Sequence, residues 1–390
     1  MADATLAEPE WLVERRRKGA SLAQELPLPD QKAKGWEFTD LTSLVFESFE
    51  VGEAESTIEA DAARDAGAIV LPLADALPGH DELLHERLGS LVAIEDPFVA
   101  RNDAAWRDGV LVYVPDGVRL KDPIRIEVAA PTGAASAWRT LVVLGEGAEA
   151  EVWERYSSAE EGDGLLNSVV EISVGQAAHL SYVSVQELSE QAWIFATQRA
   201  EVGRDGAFDW TALGFGSARG KVRMETNLAG RGAEARVTGA YAGGGSQHLD
   251  YDTTQEHAAP NTTSDLAFRG VLAESATAVW RGMIRVDVGA QQTDAFQESR
   301  NLLLSTKAHA DAIPGLEIEA NDVRCTHAAA VAQIDPEQLY YLNSRGLSGA
   351  TARQVIIEGF LGALVERIPA GEIRETVSDA LGRRLAEILG

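Results

Sequence analysis

Hydrophobic positions change their spacing twice along this chain. From Pro9 to about Ala23, the apolar residues Trp11, Leu12, Leu22 and Ala23 stand among charged ones, and Pro9 suits a first turn, so the stretch predicts a helix. Pro27 and Pro29 end it. The segment Gly35–Leu41, reading GWEFTDL, leads to Leu44, Val45, Phe46 and Phe49, and its Trp36 and Phe38 read as hydrophobic anchors of a connecting stretch. Residues 50–80 are acidic and alanine-rich; Asp81–Leu91 and Asp96–Trp106 predict two short helices. Residues 1–107 therefore read as a mixed helical and loop domain.

Near Asp108 the period drops to two. Val110–Val114 is a β-rich run closed by Pro115-Asp116-Gly117, a turn signal, and Pro123–Val128 alternates apolar with polar. Short alternating segments with glycine turns recur to about Ile334, among them Leu180–Val185 and Phe208–Leu213. Two echoes point to repetition. Gly145–Val152 resembles Gly230–Val237, and Phe268–Leu272 resembles Trp280–Ile284 twelve positions on. Many short strands over residues 108–334 fit a β-solenoid or a large sandwich, and the unbroken length with irregular turns favours the solenoid. The end rungs of such a coil need covering by other structure.

After Ile334 the period lengthens again. Asp335 is a good N-cap and Pro336 sits at the first helical position, where its missing N–H costs nothing; the helix stops at Gly346. Ser348 can cap a second helix with the stripe Ala352, Val355, Ile356, Phe360, Leu364 and Ile368, and Ile373, Val377, Ala380, Leu381, Leu385 and Ile388 mark a third. Residues 335–390 are expected to form a small helical domain that caps the last rung and docks a partner.

Composition narrows the function. With 34 basic and 61 acidic residues the formal net charge is −27, so nucleic acid and anionic membrane are poor partners. The one basic run, Arg15–Lys18, stands among Glu8, Glu10 and Glu14 and reads as a solvated helix face. A single cysteine excludes an internal disulfide. The first twenty residues hold no apolar core of signal-peptide length, and no window approaches a membrane span, so a cytoplasmic protein is expected.

Most catalytic signatures fail. In Gly214–Val222 a Walker A loop would need glycine at Phe215 and Ser or Thr at Val222, and the glycines at 214, 216 and 220 miss the Rossmann spacing, so the stretch reads as a strand turn. The seven histidines include no i, i+4 pair and no HExxH motif, and no GxSxG elbow occurs. Cys325 and His327 remain. On a strand, residues i and i+2 share a face with side chains starting about 6.5–7 Å apart. That separation places an imidazole poorly against a thiol for hydrolase chemistry. It suits one tetrahedral ion poorly, and suits two ligands of a multi-metal cluster or of a site shared with another subunit. Spacing alone favours a buried structural cysteine beside a surface histidine. A carbohydrate-active β-helix enzyme is a further alternative; it would carry a charged cluster on one outer face.

The block LEIEANDVRCTHAAAVAQIDPEQLYYLNSRGL, residues 316–347, and Trp36-Glu37-Phe38-Thr39-Asp40-Leu41 resemble the SufB/SufD family, scaffold components of the SUF iron–sulfur cluster assembly machinery. The family pattern has Ser and Gly where this chain has Thr326 and Ala328. The resemblance implies a mainly β protein: a right-handed parallel β-helix flanked by N-terminal and C-terminal helical segments. It implies a non-enzymatic scaffold that pairs with a SufB-like subunit, or with itself in isolation, and docks a SufC-like ABC-type ATPase. By the same resemblance a transient cluster forms at the shared interface with His327 as a ligand and Cys325 beside it, and a reduced flavin is admitted for the complex as a whole. Tyr340, Tyr341, Leu342, Arg345 and Gly346 fall where that family meets the ATPase. A structural adaptor without metal contact is the competing expectation.

Overall fold

The computed structural model describes residues 8–389; the beginning of the signal-peptide reading, residues 1–7, lies outside them. Sixteen strands, from Asp108–Val114 to Arg324–Gln333, wind alternately into two sheets that face each other, giving a β-solenoid of about eight turns. Within each sheet these strands pair in parallel with the strands of the preceding and following turns. Residues of one parity point inward and build a continuous core that includes Val112, Ile126, Val170, Trp210, Val237, Leu266 and Trp280. Because both faces of most strands are covered, burial here is denser than the simple alternation of the sequence predicts; Leu165–Val174 is buried at nine of its ten positions.

The two sequence echoes have different meanings. Glu149, His179, Ala207 and Glu234 stand side by side in the nine-stranded sheet, so Gly145–Val152 and Gly230–Val237 occupy the same place three turns apart. Phe268 and Trp280 lie on strands of opposite sheets, so the twelve-residue echo is not a rung repeat.

The N-terminal third contains more strand than its sequence predicts. Glu55–Glu59 pairs antiparallel with Ile124–Ala130, and Ile69–Pro72 pairs antiparallel with Asp108–Val114. These two short strands cover both sheet edges of the first turn. The predicted helices are present as Glu10–Glu25, Asp81–Arg87 and Pro97–Ala105, the last capped by Asp96, whose carboxylate accepts from Phe98 N at 2.7 Å. They pack on the outer face of the ten-stranded sheet. Arg139, fully buried in that sheet, pairs with Asp103 of the helix and with Glu171 at 3.1 Å, while Glu171 also accepts the backbone N–H groups of Gly89, Leu91 and Val92.

Segment Gly35–Leu41 is more than an apolar anchor. Trp36 is buried and stacks on Phe98, but Phe38 is exposed. Between them Glu37 accepts from Arg281 at 2.7 Å, and Thr39 donates to Asp250, whose other oxygen takes the Lys221 ammonium at 2.8 Å. His248 Nε2 lies 3.1 Å from the Thr39 hydroxyl, and burial holds its imidazole below the ordinary histidine value. This polar network ties the segment to the late turns of the solenoid.

The C-terminal helices do not cap the last rung, contrary to expectation. Gly349–Val365 and Glu372–Leu389 lie on the outer face of the nine-stranded sheet, where Ile357, Leu361, Leu364, Val377, Leu381 and Leu385 pack on Leu213, Phe215, Ala240, Ala267, Val271 and Leu302. Arg384 fixes the last helix by donating to Ala242 O at 3.0 Å. The buried stripe of the middle helix runs Ala352, Ile357, Leu361, Leu364, so Val355 falls on the exposed side. The apolar outer face of the sheet's middle turns is what these helices bury; among the described residues none covers the rung after which they follow. No helix among the described residues is long and apolar enough to cross a membrane.

Candidate functional site at the open end of the solenoid

The last turn consists of His309–Ile318 in one sheet and Arg324–Gln333 in the other, and among the described residues no strand pairs beyond either. Pro314 stands in mid-strand, a position that an edge strand tolerates and a central strand does not. The opposite edge, Arg324–Gln333, has no proline and carries alanine at 328, 329, 330 and 332. Its backbone is a pairing surface with little side-chain bulk to oppose a neighbour.

Cys325 and His327 lie on this edge strand, two residues apart and on one face. Register shows which face. Cys325 is beside Ala295 and His327 beside Gln297, and both of those are inward-facing and buried, at 1% and 0% exposed. The thiol and the imidazole thus continue the interior columns of the solenoid at the point where the coil stops. Cys325 is half-buried against a small cluster of Ile284, Val286, Ala290, Ala295 and Ala320, with Val323 beside it. Burial pushes its thiol above the ordinary cysteine value, and the Asp294 carboxylate adds to the rise. Asp294 is itself held by Arg324, whose Nε donates to it at 2.9 Å. His327 is exposed.

Under His327, Gln297 spans the interior and donates to the carbonyls of Gly282 at 3.3 Å and Gly315 at 3.0 Å. Sequence reading passes over this residue because a lone glutamine in a strand carries no motif. Its only signal is polar character at an inward position, which cannot be seen before the register is known. Ala328, where the family pattern has glycine, is extended and is not among the residues of positive φ, so no glycine is required there. No group of three His, Cys, Asp or Glu among the described residues is arranged to hold a metal ion. Cys325 and His327 are therefore at most part of a ligand set.

Two residues separate this strand from helix Pro336–Ser344. Asp335 caps the helix by accepting from Glu337 N at 2.9 Å, and Pro336 opens it. No residue of the helix is buried. Tyr340 and Tyr341 are 77% and 56% exposed, Leu342 is half-buried, and the Arg345 guanidinium lies 5.1 Å from the Tyr341 ring centroid. Gly346 takes φ +95°, the left-handed turn that ends the helix. All five residues thus lie within one exposed helix and its C-terminal turn. Ile334, between strand and helix, packs against the apolar cluster shared by the outer face of the nine-stranded sheet and the C-terminal helices.

Comparisons with known proteins point to one family. Residues 127–360 match the family described as SUF system FeS cluster assembly, SufBD core domain. The chain is 27% identical to the iron–sulfur cluster assembly protein SufD of Bacillus subtilis, over 97% of this chain and 95% of that protein. It is 30% identical to an iron–sulfur cluster assembly SufBD family protein of Mycobacterium tuberculosis over 77% of each, and 26% identical to one of Staphylococcus epidermidis over 93% of this chain and 87% of that protein.

Proposed function

This chain belongs to the SufBD family of SUF-system iron–sulfur cluster assembly proteins, and from that premise we propose that it is a scaffold subunit whose open coil end completes an assembly site with a second chain. The observation that carries the reading is the position of Cys325 and His327: they face the interior on the last rung, where a partner strand would lie next to them. Thiolate and imidazole are both ligands for iron–sulfur clusters, and two of them are too few to hold one. The remaining ligands come from the partner.

A SufB-like subunit adds its strand to the Arg324–Gln333 edge, and the nascent cluster, the cargo of the complex, is held at that junction with His327 as this chain's principal ligand. Cys325 binds as a thiolate, releasing its proton when metal arrives. The same edge pairs with a second copy when the SufB-like chain is absent. Tyr340, Tyr341, Leu342, Arg345 and Gly346 dock a SufC-like ATPase, with the two exposed tyrosine rings as anchors. This chain has no Walker A loop and hydrolyses no ATP. Nucleotide-driven closure of the ATPases pulls on helix Pro336–Ser344 and, through Ile334, shifts the strand that bears the ligands.

The test is anaerobic reconstitution of the chain with its SufB-like and SufC-like partners, followed by absorbance spectroscopy. His327→Ala is expected to abolish the cluster absorbance while the subunits still co-purify. Tyr340→Ala with Tyr341→Ala is expected to release the ATPase and leave the SufB-like pairing intact. Unchanged cluster yield in His327→Ala would show the ligand assignment to be wrong. The competing reading is an adaptor without metal contact. A Cys325→Ala, His327→Ala double variant with normal yield would establish that alternative.

A further inference from the structure

The backbone groups of the open rung divide between its two sides. At the start of strand His309–Ile318 the amide of His309 donates to Ala276 O at 3.1 Å, and just past its end Glu319 N donates to Val286 O at 2.8 Å. The register between them runs without a break. Successive residues of a strand direct their amides to opposite sides. The odd-numbered residues therefore bond to the preceding turn, and Ala310, Ala312, Pro314, Leu316 and Ile318 face the open side. On the other strand Arg324 N donates to Thr293 O at 2.8 Å, which leaves Cys325, His327, Ala329, Val331 and Gln333 facing the open side. These two edges are not equivalent. Each open-side residue of Arg324–Gln333 offers an amide donor, whereas His309–Ile318 lacks one at its centre. Pro314 has no N–H there and carries its ring Cδ where an amide hydrogen would point. A strand added to that edge loses a hydrogen bond and meets the ring in its place.

Pro314 also has a particular place in the turn. Gln297 reaches across the interior to Gly282 O at 3.3 Å. One turn on, His327 follows Gln297 in its sheet and Pro314 follows Gly282 in the facing one. By the repeat of the coil, His327 looks across the interior at the backbone of Pro314, where the open edge lacks its donor. We propose that Pro314 keeps the junction with the second chain interrupted opposite His327, so that the Arg324–Gln333 side pairs without a break and the His309–Ile318 side is the one that parts to let cargo in or out. The occupant of the edge is the partner strand already assigned to it, and the inference rests on the reading of the coil end as half of a shared site. Pairing on one side holds the two chains together while the other side opens, which a junction closed equally on both sides does not allow.

The experiment measures amide hydrogen exchange by mass spectrometry on the full-length chain, alone and in complex with its SufB-like partner, in peptides covering His309–Ile318 and Arg324–Gln333. Only open-side amides change between the two states, because the others are bonded to the preceding turn in both. In the complex, exchange in Arg324–Gln333 should slow by about 10-fold or more beyond any slowing in His309–Ile318. Pro314→Val restores the donor and should remove most of that difference. In the reconstituted complex the same variant should slow the loss of cluster iron to a chelator by about 10-fold. Equal slowing of the two peptides in the wild type overturns the proposal, and so does a difference, or a rate of iron loss, that Pro314→Val leaves unchanged. The wild-type comparison stands even if the variant does not fold. Slowing in neither peptide overturns the shared-edge reading itself, so the failure of that reading is distinct from the failure of this one.

Discussion

At the first turn of the solenoid, Glu55–Glu59 covers the edge of Ile124–Ala130 and Ile69–Pro72 covers the edge of Asp108–Val114, both in antiparallel register. At the last turn, His309–Ile318 and Arg324–Gln333 have no such neighbours among the described residues. The covering strands are short; one carries exposed Glu55 and Glu59 and the other ends in Pro72, features that discourage further pairing. The uncovered edge carries alanines and one arginine. Inside, the first turns are filled by Val110, Val112, Ile124 and Ile126, all buried, while the last presents Cys325 and His327. One end is finished by its own chain and the other, among the described residues, is open. The shared site proposed above would need this asymmetry, because a site completed within one chain could not be opened by a partner.

The largest expected effect lies at the closed end. Arg139→Met leaves Asp103 and Glu171 buried without their shared cation and should cost about 3–5 kcal/mol in urea unfolding. A loss below about 1 kcal/mol would mean that the partners that remain, Arg15 on Asp103 and the backbone N–H groups on Glu171, satisfy both carboxylates without Arg139. At the open end, Ala329→Lys puts an inward-facing charge on an exposed edge, as natural edge strands do to prevent pairing. Pairing measured by analytical ultracentrifugation should weaken about 100-fold, equivalent to about 2.7 kcal/mol, with the melting temperature little changed. Unaltered pairing would move the interface away from this strand.

A third contrast concerns the interior between the ends. Glu154 is fully buried and accepts from Trp138 Nε1 at 2.8 Å and from the Thr140 and Tyr182 hydroxyls, with no cation beside it. Burial raises its carboxyl above the ordinary range, against the lowering effect of those hydrogen bonds. The folded state therefore binds this proton more tightly than the unfolded chain does. Stability from it is complete below the unfolded value near 4.5 and falls as pH rises toward the folded one. Glu154→Gln, which imitates the neutral acid, should gain on the wild type by about 1 kcal/mol between pH 5 and pH 8 in parallel urea titrations. A gap that does not widen with pH would show the carboxylate to be ionised and satisfied. The smallest effect is Arg324→Gln, which removes an exposed ion pair to Asp294 and should cost under about 1 kcal/mol. A larger loss would mean that the open rung depends on that pair for its own stability.

Much of the fold was legible along the chain because it is local. Asp335-Pro336 and Ser348 announce helix starts through capping chemistry that needs no tertiary partner, and the observed caps use the same side chains. Alternation from Val110 onward marks strands, and the echo of Gly145–Val152 in Gly230–Val237 marks a true structural repeat. Other features were hidden. The strands Glu55–Glu59 and Ile69–Pro72 have weak patterns of their own and exist as edge pairings to the first turn. Thr39, Lys221, His248 and Asp250 look like unrelated polar residues until the coil brings them together.

The candidate site divides along the same line. Local chemistry in the sequence singled out Cys325 and His327 and put them on one face of one strand, since a strand's period of two needs nothing beyond itself. Which face that is, that the rung bearing it is the open one, and that Gln297 stands beside His327 in register were decided by tertiary structure. The reason is physical. Register and edge exposure come from contacts between residues about one solenoid turn apart in sequence, and no property of a single segment specifies its neighbour or the lack of one. The helices that follow the strand were expected to cover it; the apolar outer face of the middle turns drew them away and left the end of the coil free.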